Sequence, residues 1–359
     1  MATKEAIKKQ NMEDLYQYRQ YLRKNPQLTY LFVELTDQCN LSCMHCGSKC
    51  SSKNASHIDT ELLLKTLETV AQDFDAKKVM ICLTGGEPML HPDFFKIVER
   101  INQLGFPWGM TTNGTLIDRK MAQKLREYKL GSVTLSLDGL KETHNWFRNA
   151  PYDTYEKTIG AIKALQEAEM PVQVTTVFHK KNFHELEAMY QEMIRLKVDS
   201  WRTINIEPIG RALEHENLML DKKDMNTLLE FIREKRFRPE AEKPEVCYGC
   251  SHYLSTEYER EVRDYYFICG SGIYVASILC NGDIYSCLDI ERRPELVQGN
   301  ITKDRFSDVW FQRFQTFRED RTSKCELCQQ CDERMYCGGD STHTWDFEKK
   351  RPKFCLKNM

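Results

Sequence analysis

Between residues 30 and 235, short β-branched runs alternate with longer stretches of helical periodicity, and this alternation restricts the fold more than any other feature. The runs 30–36, 78–83, 107–112, 132–137, 172–177 and 201–206 read as strands. Most are continuously apolar, which predicts cover on both faces. Leu63, Leu67, Val70, Ala71 and Phe74 form a helical stripe behind an Asp59 N-cap, and Tyr155, Ile159, Ile162 and Leu165 form another behind Asp153. Asn182 and Glu185 have the spacing of a capping box ahead of Leu186, Met189 and Met193, and Asp221 opens a sixth helix. Six consecutive βα units predict an α/β chain with a parallel sheet and right-handed crossovers. Six is fewer than the eight of a closed barrel, so the expected core is an open, partial (β/α)6 TIM-like barrel over 30–235. Residues 1–29 read as a polar helical extension, with Leu15, Tyr18 and Leu22 at near-helical spacing and packed on the barrel.

After residue 236 the alternation stops, with a boundary near 239–244. A bridging segment, 236–268, leads to a cysteine-rich region, 269–359, that has too little apolar sequence for a core of its own and needs metal to hold it. The chain has 15 cysteines. They cluster: Cys39, Cys43, Cys46 and Cys50 lie together, Cys82 stands alone in an apolar strand as a core thiol, and the rest fall between Cys247 and Cys355. The charged, apolar-poor N-terminus is no secretory signal and no apolar run reaches membrane-span length, so a cytoplasmic protein with reduced thiols is expected. Clustered cytosolic cysteines point to metal. A net charge of −2 with mixed signs argues against nucleic acid or an anionic membrane as partner.

Cys39, Cys43 and Cys46 follow the first strand directly. Three thiolates in one loop can hold three irons of a cubane cluster and leave the fourth open to a ligand. Zinc completed by His45 or Cys50 is the alternative on spacing alone. The other strand ends favour the cluster. Gly85-Gly86-Glu87-Pro88, Thr111-Thr112-Asn113-Gly114, Ser136-Leu137-Asp138-Gly139 and Ile206-Glu207-Pro208-Ile209-Gly210 all fall on the C-terminal face of the predicted strands. Parallel α/β folds place their sites on that face.

In these residues the chain resembles the radical S-adenosylmethionine (SAM) superfamily: Cys39, Cys43 and Cys46 match its three-cysteine motif and Gly85 to Pro88 its GGEP motif. The resemblance implies a SAM-binding 4Fe-4S cluster on the three cysteines. It implies that the cassette ending in Pro88 binds SAM, with Gly85, Gly86 and Glu87 meeting its amino group, that Thr112 and Asn113 line the ribose side while Ser136 adds a hydroxyl, and that Arg148 pairs with the carboxylate. His45 holds a position that is often aromatic in the family, and Ile206 and Pro208 pack on the adenine. Reductive cleavage of SAM to a 5′-deoxyadenosyl radical is the expected chemistry. His144 reads as structural.

The C-terminal cysteines resemble a SPASM extension, which carries one or two auxiliary 4Fe-4S clusters. By its pattern Cys328, Cys331, Cys337 and Cys355 hold the second cluster. Cys269 and Cys287 bind the first, with Cys250 or Cys247 from upstream. Ser341 stands where that pattern has a further cysteine, which leaves an open iron, an oxygen ligand, recruitment of Cys280 or Cys325, or absence of the first cluster as alternatives. Taken alone, Cys247-x2-Cys250 and Cys325-x2-Cys328 also suit zinc ribbons. No catalytic side chain is assigned; Cys247 or Cys250 is a candidate hydrogen-atom donor.

The resemblance implies oxidative modification of a ribosomally made peptide or protein (crosslinking, epimerisation or similar). Its partners would be that substrate and a reductant such as flavodoxin or ferredoxin. Residues 1–29 are short for a leader-binding domain, so a separate leader-recognition protein is one partner. Two other functions stay open: cofactor biosynthesis on a tetrapyrrole-like or other small molecule, and a non-catalytic iron–sulfur electron carrier, against which the GGEP cassette argues. The sequence leaves open the substrate, the bond made and the oligomeric state.

Overall fold

A computed structural model of the chain describes residues 4–237, 244–249 and 251–357. Its core is a parallel sheet whose first six strands lie within two residues of the predicted positions: β1 (Tyr30–Glu34), β2 (Met80–Thr84), β3 (Trp108–Thr112), β4 (Ser132–Ser136), β5 (Gln173–Phe178) and β6 (Ser200–Asn205). The crossovers carry α2 (Thr60–Asp73), α3 (Phe94–Gln103), α4 (Arg119–Glu127), α5 (Lys141–Arg148) with α6 (Thr154–Glu167), and α7 (Leu186–Arg195); α8 (Lys222–Arg236) follows β6. Two more strands run parallel at the flanks: β7 (Glu245–Tyr248) beside β6 and β8 (Val275–Ile278) beside β1. Antiparallel β9 (Asp283–Tyr285) and β10 (Gly299–Asn300) extend the β8 side, so one open sheet runs from the barrel into the cysteine-rich region.

The local signals act as their chemistry requires. Asp59, Asp153 and Asp221 each accept a backbone N–H of the first helical turn, from Leu62, Glu156 and Asp224. The capping box expected at Asn182 does not form. The Asn182 amide donates to the carbonyls of Asp138 and Val177 (3.0 and 2.9 Å), and the Glu185 carboxylate accepts from Thr143 and Leu140 N–H. Both side chains tie β4 and β5 together, so α7 starts from a 3-10 turn, Phe183–Glu185, without a side-chain cap.

Strand burial also departs from expectation. Leu31, Val33, Ile81, Leu83, Val133, Leu135, Val174 and Trp201 are buried in one core with Leu63, Leu67, Ile97, Ile162 and Met193 of the helices. Their strand neighbours, such as Cys82, Thr134, Ser136, Thr175 and Arg202, are only half-buried. Helices cover the outer face alone, and the inner face is left for a site. Cys82 therefore sits on that inner face rather than in the core.

The helix α1 (Lys4–Lys24) lies elsewhere than predicted. It docks on the cysteine-rich region, with Met12 packed among Tyr253, Phe267, Tyr336 and Cys337. Arg19 is buried and donates to the carbonyls of Phe267 (3.3 Å) and Tyr336. Tyr18, expected on the packing side, is exposed. Among the described residues no helix is long and apolar enough to cross a membrane. Arg19→Ala is expected to remove about 1.5–3 kcal/mol of charged hydrogen bonding, visible as a lower urea midpoint of the reconstituted protein; an unchanged midpoint would show that α1 is not held by this residue.

Candidate active site

The loop after β1 is held in place by the loop after β2. Gly86 N–H donates to Thr36 O (2.7 Å) and Glu87 N–H to Gln38 O (2.9 Å). A side chain at Gly86 would overlap Gln38 O and come within 2.9 Å of Cys39 Cβ, so only glycine allows this approach. Gly85 has φ 147° and no room for a Cβ beside Thr36 O. The third support is the loop after β6: Arg211 N–H donates to Cys46 O (3.0 Å), its guanidinium to Cys43 O (2.6 Å) and Cys50 O (2.8 Å), and Gly210 packs against the backbone of Cys46 and Gly47.

Within this cradle Cys39 and Cys43 are buried and Cys46 half-buried. Amide N–H groups of Leu41 and Cys50 point at the Cys39 and Cys46 sulfurs (3.4 and 3.3 Å), and Arg148 Nη1 lies 3.6 Å from Cys43 Sγ. Burial pushes the Cys39 thiol up to about 12, and raises that of Cys43 despite Arg148. The Cys50 hydrogen bond instead brings Cys46 down to about 6. Three sulfurs ringed by amide donors and one cation suit thiolates bound to metal, whose charge overcomes the cost of burial. The donor set thus fits a three-cysteine iron–sulfur cluster.

The other predicted site residues gather on the same face. Glu87 is fully buried and accepts from Thr112 Oγ1 (2.8 Å) and Asn113 N–H (3.0 Å); burial still lifts it to about 7. Pro88, buried, opens the turn Pro88–Leu90 behind it. The Asn113 side chain is engaged with Asn40 (2.8 Å) and with Thr115. Ser136 is half-buried at the end of β4, and Ile206, buried, with half-buried Pro208, follows β6. His45 stacks on Phe147 (4.5 Å between centroids), and His179 lies against Phe147 with its ring tilted by 31° (4.2 Å). Arg148 forms an ion pair with fully buried Asp138, which also accepts from Val177 N–H (2.8 Å). His144, buried, accepts Asp138 N–H on its Nδ1 (3.0 Å).

The C-terminal cysteines separate. Cys328, Cys331, Cys337 and Cys355 line one cavity, with Tyr253, Asp340 and Phe354 in its wall; four thiols around one cavity fit a second cluster. Cys269 is elsewhere engaged, 3.2 Å from Thr342 Oγ1 and accepting Thr342 N–H at 3.3 Å. Cys287 is half-buried at the core margin. Ser341, buried, is bonded to His343 Nε2 (3.1 Å) and Thr344 Oγ1 (3.0 Å). Cys325 packs with Cys328 and Trp345, and the Cys280 amide donates to Glu34. Cys247 lies half-buried on β7; Cys250 falls outside the described residues.

One network escaped the sequence reading. Glu207 pairs with His252 Nε2 (3.1 Å) and His343 Nε2 (3.5 Å), and His252 Nδ1 pairs with Asp340 Oδ2 (2.8 Å). Although burial alone would lower it, Glu207 and Asp340 raise His252 to about 10. Asp340 N–H donates to Cys337 Sγ (3.1 Å), so the network joins the end of β6 to the second cysteine cavity. Glu34 is likewise paired with Arg292. No local pattern marks these pairs, because each unites residues far apart in sequence.

Residues 33–193 match the Radical SAM superfamily, and residues 269–332 match SPASM, an iron–sulfur cluster-binding domain. The chain is 26% identical over 349 residues to the AdoMet-dependent heme synthase of Methanosarcina barkeri, covering 90% of this chain and 95% of that protein. It is 30% identical over 218 residues to a probable GTP 3′,8-cyclase of Saccharolobus islandicus, covering 58% of this chain and 69% of that one. Streptococcus suis SuiB bound to S-adenosylmethionine shares the fold, with a TM-score of 0.73 at 19% identity over 93% of this chain and 78% of that chain.

Two outcomes follow from this geometry. Replacing Cys328, Cys331, Cys337 and Cys355 together by Ala is expected to lower the iron content of reconstituted protein by about four per chain; unchanged iron would place that cluster elsewhere. His252→Ala leaves Glu207 and Asp340 without their shared cation and is expected to cost about 3–5 kcal/mol of stability, read by denaturant titration; a loss within error would show the network to be dispensable.

Proposed function

Because the chain belongs to the radical SAM superfamily and carries a SPASM domain, we propose that it oxidatively modifies a carboxylate-bearing small molecule of the tetrapyrrole class in cofactor biosynthesis. The observation that carries this reading is the alignment with AdoMet-dependent heme synthases, which runs through the barrel and the cysteine-rich region alike: 90% of this chain against the Methanosarcina barkeri protein and 88% against that of Oleidesulfovibrio alaskensis. A similarity confined to the barrel would speak only for the shared radical chemistry. The peptide substrate expected from the sequence has weaker support, since the peptide-bound neighbours are alike in fold at 22% identity or less.

A radical SAM domain binds SAM and a 4Fe-4S cluster, and a SPASM domain binds auxiliary clusters; together they supply hydrogen-atom abstraction and a route for the electron left behind. The residues of this chain do the rest. Cys39, Cys43 and Cys46 hold the cluster. Gly85 and Gly86 would let the backbone approach the SAM amino group, and the Glu87 carboxyl, fixed by Thr112 and Asn113, would accept from it. Arg148, steadied by Asp138, would take the SAM carboxylate, and His45, backed by Phe147, would flank the adenine with Ile206 and Pro208. The half-buried inner face of the sheet receives the substrate. Cys328, Cys331, Cys337 and Cys355 hold an electron acceptor, tied through Asp340 and His252 to the loop that flanks SAM.

The test is 5′-deoxyadenosine release from SAM by anaerobically reconstituted, reduced protein, with a panel of peptides or with Fe-coproporphyrin III, the compound in the name of a second Methanosarcina barkeri relative, Fe-coproporphyrin III synthase, 28% identical over 204 residues. Stimulation by the porphyrin, abolished in the Cys39, Cys43, Cys46→Ala variant, is the expected result. Stimulation by peptides alone would overturn the small-molecule reading.

A further inference from the structure

We propose that Arg202, with the hydroxyls of Ser136 and Thr175, forms an anchor for a substrate carboxylate on the inner face of the barrel. This rests on the small-molecule reading above and names the part of the ligand that the sheet would hold.

Strand register sets the group. Ser136 pairs with Thr175, Thr175 with Arg202, and Arg202 with Cys247, so the four form one transverse row across β4 to β7. Their neighbours Leu135, Val174, Trp201 and Val246 are buried beneath the helices. Alternation along a strand then directs Ser136, Thr175, Arg202 and Cys247 to the opposite, half-buried face.

The stem of Arg202 leans toward the site. A Cβ added at Gly249 would lie 3.5 Å from Arg202 Cδ and 3.6 Å from Cγ, and Gly249 is two residues beyond the Arg202 level, its N–H donating to Thr203 O (2.9 Å). The guanidinium is therefore directed along the barrel toward the strand ends. Arg202 lies four residues before Ile206, about 13 Å along the strand. A ligand held there would place its carboxylate deep in the barrel and its remaining body toward the SAM-flanking loops.

The charge is unmatched. At the strand ends above Arg202, Arg148 has Asp138, Arg292 has Glu34, His252 has Glu207, and Arg211 has the carbonyls of Cys43 and Cys50. Glu87 is committed to Thr112 and Asn113. Arg202 has no hydrogen-bond or ion-pair partner among the described residues. Beside it, the buried Thr175 hydroxyl has no partner either. One row down, Thr134 donates to Gln173 (3.0 Å) and Gln173 to Ser200 (2.9 Å), so that level is satisfied internally and forms a floor. A partly buried cation and an unsatisfied hydroxyl above a closed polar floor are what a carboxylate would complete, through charge-assisted hydrogen bonds.

Two measurements on the reconstituted holoenzyme test the anchor. The first is modification of Arg202 by phenylglyoxal, followed by peptide mass spectrometry, with and without propionate; protection by propionate but not by chloride at equal ionic strength is expected. The second compares binding of Fe-coproporphyrin III with its fully methyl-esterified form, in wild type, Arg202→Gln and Arg202→Lys. Wild type should prefer the free acid by about ten- to hundredfold, Arg202→Gln should lose the preference, and Arg202→Lys should restore part of it. Porphyrin binding with an acid preference that survives in Arg202→Gln, or no protection by propionate, overturns the anchor while leaving the substrate class standing. Protection by propionate without porphyrin binding supports the anchor and removes the tetrapyrrole reading.

Discussion

Everything at the strand ends depends on how closely three backbone segments approach one another. The cysteine loop after β1 is clasped by the loops after β2 and β6, and the contacts are backbone to backbone: Gly86 to Thr36, Glu87 to Gln38, Arg211 to Cys46. A Cβ at Gly86 or Gly210 would collide with these carbonyls. The short β1 loop cannot bury three sulfurs by itself. Amide donors and a nearby cation compensate part of the cost, and a bound metal would supply the remainder. Glycine at the contact points is therefore a condition for the site, since any side chain would push the loops apart.

From this clasp follows the treatment of charge. A barrel that buries Glu34, Glu87, Asp138 and Glu207 at one end must give each carboxylate partners. The partners come from outside the βα units in two cases: Arg292 for Glu34, and His252 and His343 for Glu207. The cysteine-rich region thereby becomes part of the barrel mouth. The sheet tells the same story, since β8 lies next to β1 and carries β9 and β10 with it. Asp340 closes the connection by taking His252 on its carboxylate while its amide meets the sulfur of Cys337. Two hydrogen bonds and an ion pair thus connect the second cysteine cavity to the loop after β6.

The strands, the caps at Asp59, Asp153 and Asp221, the three-cysteine loop and the glycine cassette after β2 were all legible in the sequence. Each is a local matter: periodicity over a few residues, a side chain bonded three positions ahead, or spacing within one turn. The same local reasoning misjudged Asn182, whose amide finds the carbonyls of Asp138 and Val177 more profitable than its own helix, and it placed α1 on the barrel when Arg19 finds buried carbonyl acceptors at Phe267 and Tyr336.

By itself, then, the sequence determined the order and kind of the six βα units and the motif residues that their strand ends carry, because hydrophobic period and short-range hydrogen bonding are encoded within each segment. The tertiary structure alone decided which charges meet. Arg148 finds Asp138, Glu207 finds two histidines from the C-terminal region, Thr342 reaches Cys269, and Arg202 finds no hydrogen-bond or ion-pair partner among the described residues. Those outcomes depend on strand register and on which loops share one end of the sheet, quantities that no window of neighbouring residues contains.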